Sequence, residues 1–306
     1  MDRKGMGKNH KTSKMFEWFL LLAVITTLCI GSYESYTQRF MPDYSIISRL
    51  HRHSYLSENP VIYEPGKGIW HLLGWAGSGM MVIMMLYSLR KRIALFSSLG
   101  SLSRWLSAHM FLGIMGPILI TFHSTFKFGG IIATSFWSMI LTMIFGILGR
   151  YIYVQIPRSL AGTELAVRDI EQIIESIEIQ LREYSGGVNL ADLSRGIDPE
   201  GGDFAERGLM KTLLFMFRTD IVISYRIQKV NTILKRQHHL AWKVRRKIDQ
   251  LLKKKAALIR RKNYLSTSHQ LLHYWHVVHI PLAIVMFLIM ILHIVVYYLF
   301  RPVHSI

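Results

Sequence analysis

Five long apolar stretches constrain this 306-residue chain more than any other feature. A helix of roughly 20 apolar residues is needed to cross a hydrocarbon layer about 30 Å thick. The stretches therefore predict an all-α integral membrane protein with five transmembrane helices. They lie at residues 16–34, 69–89, 104–127, 129–154 and 274–300.

The longest segment between apolar stretches is charged and has a helical pattern. Ile170, Ile174, Ile177 and Leu181 follow the spacing of an amphipathic helix, so we expect a helical insertion with a Gly-rich and Asp-rich loop inside it. The predicted order is a basic leader (1–15), the first transmembrane helix (16–34), an outer loop (35–68), transmembrane helices two to four (69–154), the insertion (155–270, loop at 185–203), the fifth transmembrane helix (271–300) and an outer tail (301–306).

The charge distribution predicts the orientation in the membrane. The chain has 37 Lys and Arg against 19 Asp and Glu, a net charge of +18. The basic residues gather in the leader, at 89–92, around Arg150 and Arg158, and through 207–262. With five spans they all fall on one side, as the positive-inside rule requires for a cytoplasmic face. We expect the cytoplasmic membrane of a bacterium, with the amino terminus inside, the carboxyl terminus outside and no nucleic-acid partner.

One apolar run inside the insertion suggests a sixth span. Residues 209–223 are largely apolar, but Lys211, Arg218 and Asp220 interrupt them. Each charge costs roughly 2.5 to 3.5 kcal/mol near the bilayer centre. We therefore expect this run outside the membrane, within an insertion that serves as a docking platform.

Two pairs of histidines stand inside the third and fifth apolar stretches. His109 and His123 are 123 − 109 = 14 residues apart, and His279 and His293 are 293 − 279 = 14 apart. Fourteen residues fall about 40° short of four helical turns, so each pair shares one helix face. They also rise about 21 Å, which places one histidine toward each side of the membrane.

Both helices are expected to cross from inside to outside, so each histidine of the third span has a counterpart at the same depth in the fifth. His109 and His279 share the inner depth, and His123 and His293 share the outer depth. Low-spin haem iron accepts an imidazole on each side, and polar residues at membrane depth are candidates for function. The four histidines therefore predict two haems, each held by one ligand from each helix.

Other residues complete the predicted sites. Gly113 and Gly116 share the face of His109 and are expected to let a flat macrocycle approach the backbone. His276 is an alternative ligand to His279, although 293 − 276 = 17 residues turn it about 100° out of phase with His293. Candidate donors to the anionic propionates are Arg104 and Arg158 inside, and Lys127, Arg301 and His71 outside, where His71 could instead bond a quinone carbonyl or lie at the interface.

The paired spacing resembles that of membrane di-haem cytochromes b, especially the ferric reductase and NADPH oxidase transmembrane superfamily. The resemblance covers roughly residues 69–154 and 270–300. It implies bis-histidine haem b at His109 with His279 and at His123 with His293. Unlike that pattern, we expect no flavin or nicotinamide domain after the last span, and the insertion separates spans four and five.

These features predict electron transfer. The first hypothesis is a b-type di-haem cytochrome subunit that carries electrons across the membrane between the quinone pool and a partner redox protein. Because Cys29 is the single cysteine, iron–sulfur clusters and c-type haem attachment must belong to an iron–sulfur, flavin or c-type cytochrome partner. The alternatives are a stand-alone quinol-dependent reductase or oxidase of ferric iron, dioxygen or superoxide, and a non-redox membrane scaffold.

Overall fold

A computed structural model describes residues 3–53, 63–93, 98–100, 102–156, 165–184, 209–236 and 241–300. These residues form α-helices and one 3-10 turn, without a strand. The helices are α1 (Arg3–Phe40), α2 (Ile46–Arg52), α3 (Gly68–Met84), α4 (Leu86–Arg92), α5 (Leu102–His123), α6 (Gly130–Gln155), α7 (Val167–Tyr184), α8 (Leu209–Arg236), α9 (Trp242–Asn263) and α10 (Leu265–Leu299).

Five helical segments of the described residues are long and apolar enough to cross a membrane. The prediction of an all-helical chain with five such helices is thus confirmed. The segments are Trp18–Phe40, Gly68–Arg92, Leu102–His123, Ile132–Gln155 and Leu265–Leu299. The predicted loop at 185–203 and the candidate residues Arg158 and Arg301 lie outside the described residues.

Two of the spanning helices are longer than the apolar patterns indicated. Helix α1 continues to Phe40, because the first strong helix breaker after the apolar stretch is Pro42. Helix α10 already begins at Leu265, since neither Gly nor Pro occurs between that residue and Pro281. Hydropathy detects only the lipid-like part of a helix, whereas the backbone continues until a residue stops it.

The chain divides into two compact units, and α6 and α10 contribute residues to both. The first unit comprises Met1–Ile147 and His279–Ile306, and the second comprises Leu148–Val278.

Helices α3 and α5 of the first unit make a close contact that depends on two glycines. A Cβ atom at Gly77 would lie 2.9 Å from the carbonyl oxygen of Gly116, and one at Gly116 would lie 3.1 Å from that of Gly77. Small residues let membrane helices approach in this way, and the resulting van der Waals contact holds them together. The glycine pair therefore sets the distance between the two backbones.

The buried core of the first unit joins the remaining spanning helices to this pair. Ser135 of α6 donates its hydroxyl to the carbonyl of Met286 in α10, at 3.1 Å. Gly31 of α1 packs directly against the ring of Phe122 in α5. The core side chains come from α3, α6 and α10 and are Met81, Phe136, Met139, Met286 and Met290.

The second unit contains a helical bundle formed by α7, α8 and α9. Its ion pair between Lys255 and Glu178, at 3.0 Å, compensates a lysine that is otherwise buried among apolar residues. The bundle core comprises Ile170, Ile177 and Leu181 of α7, Ile223, Ile227 and Val230 of α8, and Ile248, Leu251 and Leu252 of α9.

The glycine contact predicts a clear difference between two neighbouring substitutions in α3. Gly77→Ala places a methyl group against the Gly116 carbonyl, and we expect it to destabilise the protein by about 1 to 3 kcal/mol. Gly79→Ala is the matched control, because a Cβ atom there meets nothing within 4 Å. Thermal unfolding of both variants in detergent measures the effect, and equal melting temperatures would contradict the packing role of Gly77.

Candidate functional site

Both histidines of α5 donate a hydrogen bond to α3. Nδ1 of His123 lies 2.8 Å from the carbonyl oxygen of Trp70, and Nδ1 of His109 lies 2.9 Å from that of Met84. A carbonyl oxygen can only accept, so Nδ1 carries the hydrogen and Nε2 holds the lone pair of the neutral ring. Metal-ligating histidines commonly use their second nitrogen in this way, which fixes the ring and raises its basicity. Both rings therefore have the tautomer of an Nε2 ligand.

The two hydrogen bonds have the same spacing on both helices. Trp70 and Met84 are 84 − 70 = 14 residues apart, like the two histidines that they bind. Gly77 and Gly116 lie halfway along each interval and form a close contact between the two backbones. Because the helices run antiparallel, one register brings both histidines to α3 carbonyls at once.

Local features of α3 make room for each imidazole. Helix α3 ends at Met84. The carbonyl of Met84 therefore belongs to the last turn, where carbonyl oxygens have no N–H partner within the helix. At the other end, a Cβ atom at Gly74 would lie 2.6 Å from Nδ1 of His123. The glycine one turn after Trp70 thus admits the ring to the Trp70 carbonyl.

Helices α3, α5, α6 and α10 enclose a cavity of about 260 Å³ at the predicted outer site. This volume is slightly below the roughly 300–1,000 Å³ of most small-molecule sites. His123 and His293 both line the cavity, and the candidates His71 and Lys127 line it as well. The structure therefore brings together four residues that sequence reasoning had selected. The apolar part of the wall includes Met81, Phe136, Met139, Met286 and Met290.

His71 is suited to donate a hydrogen bond into this cavity. The indole N–H of Trp75 donates to Nε2 of His71 at 3.1 Å, so the neutral ring carries its own hydrogen on Nδ1. The His71 ring centroid lies 6.2 Å from that of His123 and 5.2 Å from that of Tyr297. Because Nε2 of His71 accepts from Trp75, its lone pair is not available to a metal. The Nδ1–H of His71 can instead donate to an anionic or carbonyl oxygen.

The two histidines of the predicted inner site, His109 and His279, contact different helices. The ring of His109 lies 5.1 Å from that of Tyr87 in α4, measured between centroids. Cε1 of His279 would lie 3.9 Å from a Cβ atom at Gly146 in α6, and its Nδ1 is buried. These contacts involve different helices, so the pairing of His109 with His279 stays a prediction.

Gly113 and Gly116 pack close to side chains of α3. A Cβ atom at Gly113 would lie 3.4 Å from Sδ of Met84, and one at Gly116 would lie 2.9 Å from Cγ of Met81. Both glycines thus face α3, because the helix face that they share with His109 is the one that contacts α3. They allow close helix packing, and their expected role beside a macrocycle stays a prediction.

Two further candidates lie at exposed positions. Arg104 is exposed near the start of α5, with Nη2 3.2 Å from where Gly100 would carry a Cβ atom. His276 is exposed in the second unit and donates from Nδ1 to the carbonyl of Leu272, at 2.7 Å. The roles of Arg104 as a propionate donor and of His276 as an alternative ligand stay predictions.

Sequence reasoning missed a polar network that supports Trp70 from α1. The indole N–H of Trp70 donates to Oε1 of Gln38 at 3.1 Å, and Nε2 of Gln38 donates to Glu34 at 2.9 Å. The buried Glu34 carboxylate also accepts from the Ser45 hydroxyl and from two backbone N–H groups at the start of α2. The network leads to the residue whose carbonyl holds His123. Its only sequence signal was an acidic residue and a glutamine one turn apart.

The Glu34 network predicts a local loss of stability in α2. Glu34→Ala removes the acceptor of the Ile46 and Ile47 amides, which we expect to cost about 1 to 3 kcal/mol. Hydrogen exchange at these amides should accelerate accordingly. Asp43→Ala is the control, because its side chain is 89% exposed and pairs with Arg52 at the surface. If hydrogen exchange at the Ile46 and Ile47 amides is unchanged in Glu34→Ala, the Glu34 carboxylate does not stabilise the start of α2.

Comparisons with known proteins assign no function to this chain, so its proposed function depends on the geometry of the site. Within the described ranges, no three or more His, Cys, Asp or Glu side chains are grouped to hold a metal ion, as a zinc site would require. A porphyrin iron needs only two protein ligands. No protein-family model, curated protein or solved structure matches this chain.

Proposed function

We propose that this chain is a b-type di-haem cytochrome subunit that transfers electrons across a membrane between the quinone pool and a partner redox protein. The observation that carries the proposal is the shared geometry of His109 and His123, each with Nδ1–H bound to an α3 carbonyl. The 14-residue spacing of His279 and His293 in α10 adds the second ligand that each iron requires.

The outer cavity supports the proposal through its chemistry. His123 and His293 would hold the iron from α5 and α10, and the methionine and phenylalanine side chains would surround an apolar ring. Lys127 and His71 would bind the propionates, which are anionic and need donors. Because the cavity holds about 260 Å³, we expect the helices around it to separate slightly when the macrocycle binds.

Bound haem would supply the one-electron chemistry, and the chain would control it through binding and electrostatics. The α3 carbonyls hold each imidazole in one tautomer and make Nε2 a stronger donor. Much of the cavity wall is apolar, and a low dielectric strengthens the influence of each nearby charge. Lys127 lines the cavity, and its positive charge would favour the reduced, less positive form of a bound haem.

The partners and location belong to the same proposal. The basic segments support a cytoplasmic face and an insertion that docks an iron–sulfur or flavin subunit, while a c-type cytochrome would dock on the outer face. Stable co-purification with such a subunit supports this function. A chain that purifies alone and reduces ferric iron, dioxygen or superoxide with quinol would instead support a stand-alone oxidoreductase.

Haem analysis of histidine variants tests the ligand assignment. We expect about two haems b per chain in a pyridine haemochrome assay, and about one after His123→Ala or His293→Ala. His109→Ala or His279→Ala should remove the other haem. His273→Ala is a control, because His273 is an exposed histidine of α10 outside the proposed sites.

Three outcomes of that assay would count against the assignment. Full haem content in the four variants would contradict it, and a haem-free parent protein would contradict the whole proposal. Loss of one haem in His276→Ala, with full content in His279→Ala, would show that His276 is the inner ligand.

Lys127 should tune the haem at the outer site. Lys127→Gln removes a positive charge beside the centre, so we expect a lower midpoint potential for that haem and no change in the other. Lys67→Gln is the control, since Lys67 is exposed and pairs with Glu64 at 3.1 Å. A redox titration followed by visible absorption measures both, and an unchanged or higher potential in Lys127→Gln would contradict this role.

A further inference from the structure

Helix α8 carries a stripe of exposed apolar side chains between residues 214 and 225. Leu214 is 62% exposed, Ile221 is 71% exposed and Tyr225 is 67% exposed. Ile221 follows Leu214 by 7 residues and Tyr225 follows it by 11. At 100° per residue, both side chains point within about 20° of the direction of Leu214 around the helix axis, so the three share one face. Phe217 is also exposed and borders this face, which we name the α8 stripe: Leu214, Phe217, Ile221 and Tyr225.

The opposite side of the same helical turns packs against spanning helices within the second unit. Leu213 and Met216 are buried in one cluster with Ile152 of α6 and Leu271 of α10. Ile152 lies three residues before the end of its membrane-spanning segment, and Leu271 lies three residues before the apolar stretch of α10, which begins at residue 274. At 1.5 Å per residue each distance is about 4.5 Å along the helix axis. The stripe thus lies at the depth where α6 leaves the membrane and α10 enters it.

The charged residues near the α8 stripe suit an interfacial position. Asp220 lies away from the stripe, where it accepts from the Tyr151 hydroxyl at 2.9 Å and pairs with Arg260. Lys211 and Arg218 are exposed beside the stripe. Long basic side chains can reach lipid phosphates while their aliphatic parts cover apolar surface. The acidic charge is neutralised inside the protein, and the basic charges remain on the exposed side.

The geometry points to the lipid bilayer as the occupant of the α8 stripe. The part of α8 up to Tyr225 lies in the boundary between headgroups and acyl chains, with the stripe in the acyl region and Lys211 and Arg218 among anionic headgroups. Beyond Tyr225 the helix leaves the bilayer, since its apolar residues Ile227 and Val230 are buried in the bundle with α7 and α9. Helix α8 therefore anchors the bundle to the membrane surface. This differs from the sequence-based expectation that residues 209–223 lie wholly outside the bilayer.

Spin labels on the full-length protein in lipid nanodiscs test this inference independently of haem binding. In a Cys29→Ser background, labels are placed at Ile221→Cys and, as the matched control, at Gln228→Cys. Gln228 is exposed and lies seven residues later on the same helix face. We expect the label at 221 to collide more with dissolved oxygen than with a water-soluble nickel chelate, and the label at 228 to show the reverse order.

Two results would overturn the inference. A label at 221 that is as accessible to the nickel chelate as the label at 228 would place the stripe in water. A label at 221 that is shielded from both reagents would show that protein covers it, from a second copy or another chain. Leu214→Cys repeats the measurement on the same face, so that one poorly folded variant cannot decide the outcome.

Discussion

The close contact between Gly77 and Gly116 determines how far apart α3 and α5 lie, and the candidate site depends on that distance. At this separation the imidazoles of His109 and His123 reach α3 carbonyls with Nδ1. A larger residue at either glycine would push the helices apart and lengthen both hydrogen bonds. Because the contact lies midway between the two histidines, one packing interaction orients two rings about 21 Å apart along the helix axis.

The rest of the first unit supports this pair of helices. Glu34 connects the start of α2 to Gln38, and Gln38 binds the indole of Trp70, so α1 stabilises the residue that holds His123. Helices α6 and α10 complete the wall of the outer cavity, and α10 brings His293 to it. Lys127 reaches the cavity from the connection between α5 and α6. The first span therefore has a structural role next to the site, beyond membrane anchoring.

The sequence predicted the features that follow from helical periodicity and missed those that depend on neighbouring helices. Hydropathy located five spans, and the angle of 100° per residue placed each histidine pair on one face. The same face also carries Gly113 and Gly116, but periodicity cannot show which helix a face contacts, so their packing against α3 was not foreseen. The carbonyl partners of the histidines were equally invisible, because every residue has a carbonyl. Glu34 was missed because three of its binding partners, Ser45, Ile46 and Ile47, lie beyond the end of its own helix.

An experimental density map of the intact protein, purified from haem-replete cells, tests the central claim most directly. The account predicts planar density between His123 and His293 and between His109 and His279, with each iron bound to Nε2. It also predicts that Nδ1 of His123 and of His109 still faces the carbonyls of Trp70 and Met84. A well-resolved map without planar density, in which these four rings face lipid or bond to one another, would contradict it.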